Sequence, residues 1–226
     1  MSKVVIITGT STGLGLATAI LFAQNGHKVY ATMRNLAKQD ALLAAAKKEE
    51  VTINVEILDV TKTRSIQSCI KKIVAKEGKI DVLINNAGAG YIRTTEQSTM
   101  EEIEWVTDVN YYGVIRCTKA VLPLMRAAKS GHIINITSVG GLVGQPFNEF
   151  YCAAKFAVEG YTEALASYVT EAFGIQFSLV EPGGITSEFA NSVLAQAAST
   201  GGMLEDVYLP LLQQSIGSAQ ARAKAG

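Results

Sequence analysis

With 226 residues, the chain is long enough to bury a sizeable core as one large domain or, alternatively, as two small ones. Hydrophobic residues make up 48% of it, a fraction that excludes a disordered protein. Twenty basic and twenty acidic side chains cancel, and this balance excludes the basic surface with which proteins bind nucleic acids or anionic lipids.

The cysteines and the first residues indicate the compartment. Cys69, Cys117 and Cys152 are few, odd in number and without paired spacing, which favours a reducing compartment over a disulfide framework. The first apolar run begins at Val4 without the layout of a signal peptide. The uncharged segment 131–148 contains glycines, a proline and amides, which rule out a spanning helix there. We therefore predict a cytoplasmic protein with no membrane span.

Short β-branched runs alternate with longer amphipathic segments along the chain. Strands are predicted at 4–8, 28–32, 52–58, 81–84, 132–137 and 175–180, and helices at 14–25, 36–49, 63–77, 99–129 and 150–173. This alternation is typical of βαβ units and of a parallel sheet covered on both faces. We predict a doubly wound α/β fold in a single domain over residues 1–226, in which ligands bind at the carboxyl ends of the strands.

A glycine-rich loop follows the first strand and opens the first helix. The residues in it that we expect to bind a nucleotide are Gly9, Ser11, Thr12, Gly13, Leu14 and Gly15. Glycines allow a tight turn and bring the backbone close to a pyrophosphate, whose charge meets the N–H groups of a helix N-terminus. Glycine also marks ordinary turns, but the strand–loop–helix context favours nucleotide binding.

The end of the second strand bears on the choice of nucleotide. A dinucleotide-binding fold carries there either an acid that selects NAD or an arginine that accommodates the 2′-phosphate of NADP. The chain has Met33 and Arg34 at this place and no carboxylate. Because a guanidinium is a planar and permanently charged partner for phosphate, we predict that NADP is preferred and NAD accepted. The alternative is that Arg34 is a solvated surface charge.

Three later strand ends carry further candidates for the cofactor site. They are Asp59 and Val60 after the third strand, Asn86, Ala87 and Gly88 after the fourth, and Pro182 and Gly183 after the sixth. Small residues let a ligand approach the backbone, and a short acid can accept a hydrogen bond from an adenine amino group. The alternatives are a plain turn at 86–88 and a helix cap at Asp59, where Thr61 or Thr63 would serve equally well.

A hydroxyl, a phenol and an ammonium come together around the fifth strand and the helix after it. Ser138 follows the strand, and Tyr151 and Lys155 lie one turn apart on the same face of the predicted helix. A phenol has an ordinary pKa of about 10, and a nearby cation lowers that pKa by favouring the phenolate. We predict that Lys155 is this cation. Taken alone, the pair would more often indicate an exposed helix face.

The chain resembles the short-chain dehydrogenase/reductase family over essentially its whole length. The resemblance rests, in order, on TGTSTGLG at 8–15, DV at 59–60, NNAG at 85–88, Asn110, Ser138, Tyr151-x-x-x-Lys155 and PG at 182–183. The segments 28–35 and 138–160 are most similar to the branch that contains 17β-hydroxysteroid and retinol dehydrogenases. A Rossmann-type fold and a nicotinamide cofactor are what this resemblance implies.

The resemblance also implies an enzyme that interconverts an alcohol and a ketone or aldehyde. It makes Tyr151 the general acid/base, and Lys155 the residue that lowers the pKa of Tyr151 and holds the nicotinamide ribose. Ser138 would orient the substrate carbonyl, and Asn110 would hold a water that extends the proton relay. A positioned proton donor typically contributes about 10²–10⁴ in rate, while the cofactor carries the hydride chemistry.

The substrate is predicted to be apolar. Residues 187–202, within a lid at about 187–209, contain no acid or base except Glu188, and residues 140–147 add no cation. Oestrogen-specific relatives use a histidine of the lid region, whereas no histidine follows His132, so an oestrogen is not expected. Family members usually continue past position 226 into a further strand that completes the sheet and part of the substrate pocket.

Two other functions share parts of this pattern, and the oligomeric state is a separate prediction. A non-catalytic nucleotide-sensing module has the same fold but no use for Ser138, Tyr151 and Lys155. A methyl-donor-binding protein usually needs an acid near Met33 for the ribose diol. The resemblance implies a homodimer or tetramer built through the two longest helices, for which burial within one subunit is the alternative. No metal site is predicted.

Overall fold

The computed structural model describes residues 1–185, 189–202 and 205–225, and its centre is one parallel sheet of six strands. The strands are β1 (Val4–Thr8), β2 (Lys28–Met33), β3 (Asn54–Ile57), β4 (Val82–Asn85), β5 (Gly131–Ile136) and β6 (Ile175–Val180). Their order is β3-β2-β1-β4-β5-β6, and the register places Ile6 between Tyr30 and Leu83. The predicted doubly wound α/β fold in a single domain is confirmed.

Eight α-helices accompany the sheet within the described ranges. They are α1 (Gly13–Gln24), α2 (Asp40–Lys48), α3 (Thr63–Glu77), α4 (Met100–Thr107), α5 (Gly113–Ala128), α6 (Glu149–Phe173), α7 (Phe189–Ser199) and α8 (Leu209–Ala225). The predicted helix 36–49 is wrong at its start, where a 3₁₀ turn over Leu36–Lys38 precedes α2. The side chain of Asn35 accepts a hydrogen bond from the backbone N–H of Ala37 at 2.9 Å and so favours this separate turn.

The predicted helix 99–129 is interrupted by a wider turn. Residues Asp108–Tyr112 form a π-helical turn between α4 and α5. Asn110 lies in this turn, and its side-chain Nδ2 donates to the carbonyl of Val106 at 2.8 Å. A π turn widens the helix by one residue and commonly marks a functional position. The interruption therefore falls on a residue that the sequence had singled out.

Two apolar layers enclose the sheet because side chains alternate across each strand. In β1, Val4 and Ile6 belong to the cluster beneath α3, α5 and α6, whereas Val5 and Ile7 belong to the cluster beneath α1 and α2. The three cysteines are buried free thiols. None of the described helices combines the length and the apolar character needed to cross a membrane.

The strand order reverses between β1 and β4, and this reversal positions the site. In open parallel sheets a ligand crevice lies outside the carboxyl ends of the strands at such a point. Here those ends lead into the glycine-rich loop after Thr8 and into the loop after Asn85.

Candidate active site

The glycine-rich loop packs directly against the loop that follows β4. Gly9 has a φ of +70°, and a Cβ on it would lie 2.7 Å from Cα of Ala87. A Cβ on Gly15 would overlap the carbonyl of Gly9 and the side chain of Asn86, and Gly13 has a φ of +58°. Only glycine satisfies both the backbone conformation and the close approach at Gly9.

The N-terminus of α1 is open to a ligand. Thr12 is the N-cap with extended backbone, and within the described chain its side chain makes no capping hydrogen bond. No acidic residue lies in the first turn of α1, where Leu14 is half-buried beside the half-buried Ser11. The N–H groups of this turn and the positive end of the helix dipole are therefore available to an anion, as a pyrophosphate requires.

The loop after β4 is held in place by hydrogen bonds to the end of β1. Asn86 Nδ2 donates to the carbonyls of Thr8 and Gly9 at 2.8 and 2.9 Å. The Thr8 hydroxyl accepts in return from the backbone N–H groups of Asn86 and Ala87. The side chain of Asn86 therefore shapes the crevice, and Ala87 and Gly88 present backbone to it.

The two predicted ribose-recognition positions at the end of β2 differ in exposure. Met33 is 4% exposed and packs in the core with Leu42, so its side chain is directed away from solvent. Arg34, the next residue, is exposed. A carboxylate in place of Met33 would therefore enter the core and would not face a ribose.

Asp59, at the end of β3, is engaged by its own turn. Its Oδ1 accepts from the backbone N–H of Thr61 at 2.9 Å and from the Thr61 hydroxyl at 2.8 Å. Its half-buried carboxylate therefore serves its own turn and not the helix cap that was the alternative, because the N-cap of α3 is Lys62. Val60 is buried and packs against Gly113 of α5, which leaves mainly its backbone for a ligand.

One face of α6 carries the chemistry. Tyr151, Lys155 and Glu159 follow each other at intervals of four residues, and all three are at most 8% exposed. Gly140 and Gly141, in the 3₁₀ turn after β5, let this face approach closely, since a Cβ on Gly141 would lie 3.3 Å from the backbone of Lys155. Both glycines are buried against α6.

Tyr151 and Ser138 meet at the end of β5. The Ser138 hydroxyl accepts from the backbone N–H of Gly140 at 3.0 Å and is a hydrogen-bond partner of the Tyr151 phenol. Burial raises the pKa of Tyr151 above its ordinary value, and the hydrogen bond to Ser138 opposes this only in part. The direction is opposite to the predicted one. A phenol with a raised pKa keeps its proton at neutral pH and is suited to donate it.

Lys155 lies over the ring of Tyr151 and bonds to the backbone of β5. Its Nζ is 5.7 Å from the ring centroid and donates to the carbonyl of Ile136 at 3.0 Å. Burial lowers the pKa of Lys155 to about 8, and the charge of Glu159 acts in the opposite direction. The expected stabilisation of a phenolate by Lys155 is therefore outweighed here by desolvation of the phenol.

Asn110 contacts the same crevice from the π turn. Its Nδ2 donates to the carbonyls of Ala89 and Val106, and its Oδ1 accepts from the backbone N–H of Ala89 at 3.2 Å. A Cβ on Gly88 would lie 3.0 Å from Oδ1 of Asn110 and 3.6 Å from Nζ of Lys155. Both N–H bonds of the amide are thus used by the protein. A water near Asn110 would therefore have to donate a hydrogen bond to an oxygen atom of this residue.

Helix α7 lies in the predicted lid and covers the site. Residues 187, 188, 203 and 204 of the predicted lid lie outside the described residues. The rings of Phe189 and Tyr151 are 5.8 Å apart, and a Cβ on Gly90 would overlap Val193. At the strand end below, the carbonyl of Pro182 accepts from the backbone N–H of Val139 at 3.1 Å, and Gly183 is exposed.

Several polar residues near the site had not been identified from the sequence. Asn85 and Asn135 join β4 to β5 by a side-chain hydrogen bond of 2.8 Å, and Asn135 donates to Thr162 of α6. An amide inside an apolar strand is the signal that could have revealed Asn135. The spacing of four from Lys155 could have revealed Glu159, whereas Arg93, buried in the loop after β4, had no such pattern.

These residues place a proton donor, a hydroxyl and a buried ammonium beside a crevice suited to a dinucleotide. The phenol of Tyr151 can protonate an oxygen that approaches Ser138. The ammonium of Lys155 has donors left beyond its bond to Ile136 and borders Gly88. The arrangement supports reduction of a carbonyl by general acid catalysis, with a hydride supplied from the crevice.

A family model described as short chain dehydrogenase matches residues 3–198. The chain is 40% identical over 190 residues to 3-ketodihydrosphingosine reductase of Bacteroides thetaiotaomicron, covering 84% of this chain and 66% of that protein. It is 40% identical over 221 residues to human retinol dehydrogenase 8, covering 92% and 70%. It is 39% identical over 197 residues to human 17-beta-hydroxysteroid dehydrogenase type 1, covering 84% and 59%. The resemblance to this branch is confirmed, and the chain spans about three fifths to seven tenths of these relatives.

Solved structures show the same fold. A short-chain dehydrogenase/reductase from Burkholderia phymatum in complex with NAD superposes with a TM-score of 0.83 at 25% identity, covering 95% of this chain and 78% of that chain. Actinorhodin polyketide ketoreductase with NADPH superposes with a TM-score of 0.81 at 30% identity, covering 90% and 78%. Both nicotinamide cofactors thus occur among the structural neighbours.

Proposed function

The chain belongs to the short-chain dehydrogenase family of oxidoreductases, and on this premise we propose that it interconverts an apolar alcohol and its ketone or aldehyde with Tyr151 as the general acid/base. The observation that carries the proposal is the convergence of Tyr151, Ser138 and Lys155 at the carboxyl end of β5, beside the reversal of strand order. A sensing module would not require a buried phenol bonded to a hydroxyl.

The protein's own groups account for the proton transfer of the reduction. Ser138 orients the carbonyl oxygen toward the phenol, and Tyr151 gives up its proton as charge develops on that oxygen. Lys155 stabilises the phenolate that results, since the opposite charge then lies within the same buried face of α6. The covering helix α7 excludes water from this exchange. A bound nicotinamide supplies or accepts the hydride.

The cofactor is proposed to lie along the crevice from the N-terminus of α1 to Lys155. The glycine-rich loop and the open helix end would hold the pyrophosphate, and Gly88 and Lys155 would border the nicotinamide ribose. We propose that NADP is preferred, because Arg34 is an exposed cation at the end of β2 and no carboxylate adjoins it in sequence. Asp59 remains the one acid at the neighbouring strand end, with its carboxylate shared with Thr61.

The substrate class follows from the surface around Tyr151. Leu142 and Val143 are 57% and 68% exposed after the 3₁₀ turn, and Phe189 and Leu194 of α7 are about two fifths exposed. Apolar side chains facing a site favour hydrocarbon and penalise a charged ligand, whose desolvation they cannot compensate. The names of the relatives, a sphingoid ketone reductase, a retinol dehydrogenase and a steroid dehydrogenase, fit the same class.

A panel of carbonyl compounds with NADPH oxidation as the readout tests this function. We expect ketones or aldehydes with extended hydrocarbon bodies to have a higher kcat/KM than small keto acids. A ranking headed by a keto acid would contradict the apolar pocket, and inactivity on every compound would contradict the proposed reaction. The Tyr151→Phe variant, assayed in parallel, separates turnover by this site from background oxidation.

A homodimer is the proposed assembly. Tyr112, Phe156 and Tyr168 are 45–61% exposed on the π turn and α6, and a groove of about 630 Å³ beside α4 includes Trp105 and Arg116 in its lining. The other apolar residues of the two long helices divide into two groups. Val114, Val121, Val158 and Leu165 are buried within the subunit, whereas Ile115 and Leu122 are half-buried. Light scattering at micromolar concentration should give the mass of two chains; the mass of one would refute the dimer.

A further inference from the structure

Arg93 is a buried arginine in the loop between β4 and α4, outside every family motif described above. Its side chain is 6% exposed. Nη2 donates to the carbonyl and to the hydroxyl of Thr200, both at 2.7 Å, and lies 3.5 Å from the carbonyl of Ala197. These oxygens belong to the C-terminal end of α7 and the residue after it. One guanidinium therefore closes the end of the helix that covers Tyr151.

The charge of Arg93 is compensated from a different helix. Its Nε lies 3.3 Å from Oε1 of Glu102, in the first turn of α4. Burial opposes ionisation of Glu102, but hydrogen bonds led by the backbone N–H of Thr99, together with the charge of Arg93, lower its pKa below the ordinary value. A buried cation is tolerated only with such a partner. Glu102 also accepts from the phenol of Tyr91 at 3.0 Å.

The same loop contacts the catalytic side chain and its surroundings. Tyr91 is fully buried in one apolar cluster with Tyr151 and Cys152. The backbone N–H of Arg93 donates to the carbonyl of Phe147 at 3.1 Å, which ties the loop to the segment before α6. A shift of Arg93 would therefore disturb both the apolar cluster around Tyr151 and the segment before α6.

Helix α7 can sit close to this loop only because of Gly90. A Cβ on Gly90 would overlap Val193 and would lie 2.9 Å from the ring of Phe189, so the middle and the start of α7 rest on the backbone here. Arg93 holds the other end of the helix. If only the contact at Gly90 remained and the bond to Thr200 were lost, the C-terminal end of α7 could move about that contact.

We propose that Arg93 is a positioning residue that fixes the C-terminal end of α7, and thereby sets the affinity for substrates long enough to reach that helix. The inference rests on the proposed function, in which Tyr151 reduces an apolar carbonyl beneath α7. A cation at the end of a helix pairs with its last carbonyls and with the negative end of its dipole. Thr200 and Ala197 supply those carbonyls.

Two readouts test the role of Arg93, and one does not depend on activity. In Arg93→Ala, amide hydrogen exchange over residues 189–202 should become faster than in the unmutated chain while exchange in β1 and β4 stays unchanged. The KM for a long-chain ketone should rise about tenfold or more, as expected when hydrogen bonds to a charged group are lost, and the KM for a short ketone about twofold at most. Arg64→Ala, an exposed arginine of α3, is the matched control.

One further variant keeps the test decisive if Arg93→Ala does not fold. Arg93→Lys retains the charge but cannot serve Thr200 and Glu102 together, so it should give the same pattern at smaller size. Unchanged exchange over 189–202, or equal losses on long and short ketones, would overturn the proposal. An unmutated chain inactive on all ketones would refute the function instead, and exchange would still decide the role of Arg93.

Discussion

The side chains at the two ends of the proposed cofactor site differ in burial and in hydrogen bonding. At the nicotinamide end, Tyr151 and Lys155 are buried on one helix face and held by hydrogen bonds to Ser138 and to the carbonyl of Ile136. At the adenosine end, Arg34 is exposed and Asp59 bonds to its own turn. Burial shifts the pKa values of the first pair, whereas water and salt screen charges like Arg34.

This difference sets the size of effect expected from each end. A buried group that is desolvated and held in position acts on the chemical step, where a proton donor raises the rate by orders of magnitude. An exposed cation changes the relative affinity of two cofactors by a modest factor that salt reduces. Substitutions at the two ends should therefore separate into losses of rate and losses of selectivity.

Tyr151→Phe should have the largest effect at the buried end. It removes the transferable proton and keeps the ring against Phe189, so kcat should fall by at least about 10²-fold while NADPH affinity is retained. Steady-state kinetics together with a cofactor titration measure both quantities. Tyr168→Phe, an exposed tyrosine of the same helix, is the matched control. A near-normal kcat in Tyr151→Phe would mean that another group donates the proton.

Lys155→Ala should lower both rate and cofactor affinity. One ammonium is proposed to stabilise the phenolate and to hold the nicotinamide ribose, and the loss of a charged hydrogen bond costs about tenfold or more in each parameter. Kinetics and a binding titration on the same preparation report the two losses. If only one parameter changes, the dual role of Lys155 is wrong.

Arg34→Ala tests the exposed end. We expect the ratio of kcat/KM for NADPH over NADH to fall about tenfold, the lower end for a charged hydrogen bond because the side chain is solvated. Added salt should reduce the preference of the unmutated chain in the same direction. Met33 is buried, so an aspartate at that position would enter the core, and Arg34→Ala alone is the cleaner comparison. An unmutated chain that prefers NADH would leave Arg34 as a surface charge only.

Glu159→Gln should give the smallest effect, and it tests what sets the pKa of Lys155 at the buried end. Burial lowers the pKa of Lys155 to about 8 and the charge of Glu159 raises it, so removal of the carboxylate should lower that pKa further. Because protonated Lys155 is the proposed active form, the alkaline limb of the kcat/KM profile should move to lower pH by about one unit. An alkaline limb that stays in place, or moves to higher pH, would show that Glu159 does not act on Lys155.

Sequence reasoning succeeded where a local pattern encodes the geometry. The alternation of strands and helices predicted the sheet, and the glycine spacing predicted a loop whose tight contact at Gly9 leaves no room for a side chain. It failed at the π turn around Asn110, because a widened turn preserves nearly the same apolar period as an α-helix. The interruption depends on side-chain hydrogen bonds, which the hydrophobic periodicity of a sequence does not predict.

The prediction that Lys155 lowers the pKa of Tyr151 failed for a related reason. A spacing of four residues places Lys155 near Tyr151, but it does not report that Nζ turns toward Ile136 or that the phenol is desolvated. Arg93 is likewise one charge in a polar loop, and only the fold brings Glu102 and Thr200 to it. Such contacts between distant segments are set by tertiary packing.

Isotope transfer from the cofactor to the substrate tests the central claim most directly. The chain would be incubated with a long-chain ketone and NADPH deuterated at the transferable position of the nicotinamide, in ordinary water, and the product analysed by mass spectrometry. The account predicts an alcohol with deuterium on the carbinol carbon, formed at a rate that falls at least about 10²-fold in Tyr151→Phe. An alcohol without deuterium, or the same rate of labelled product from Tyr151→Phe, would contradict it.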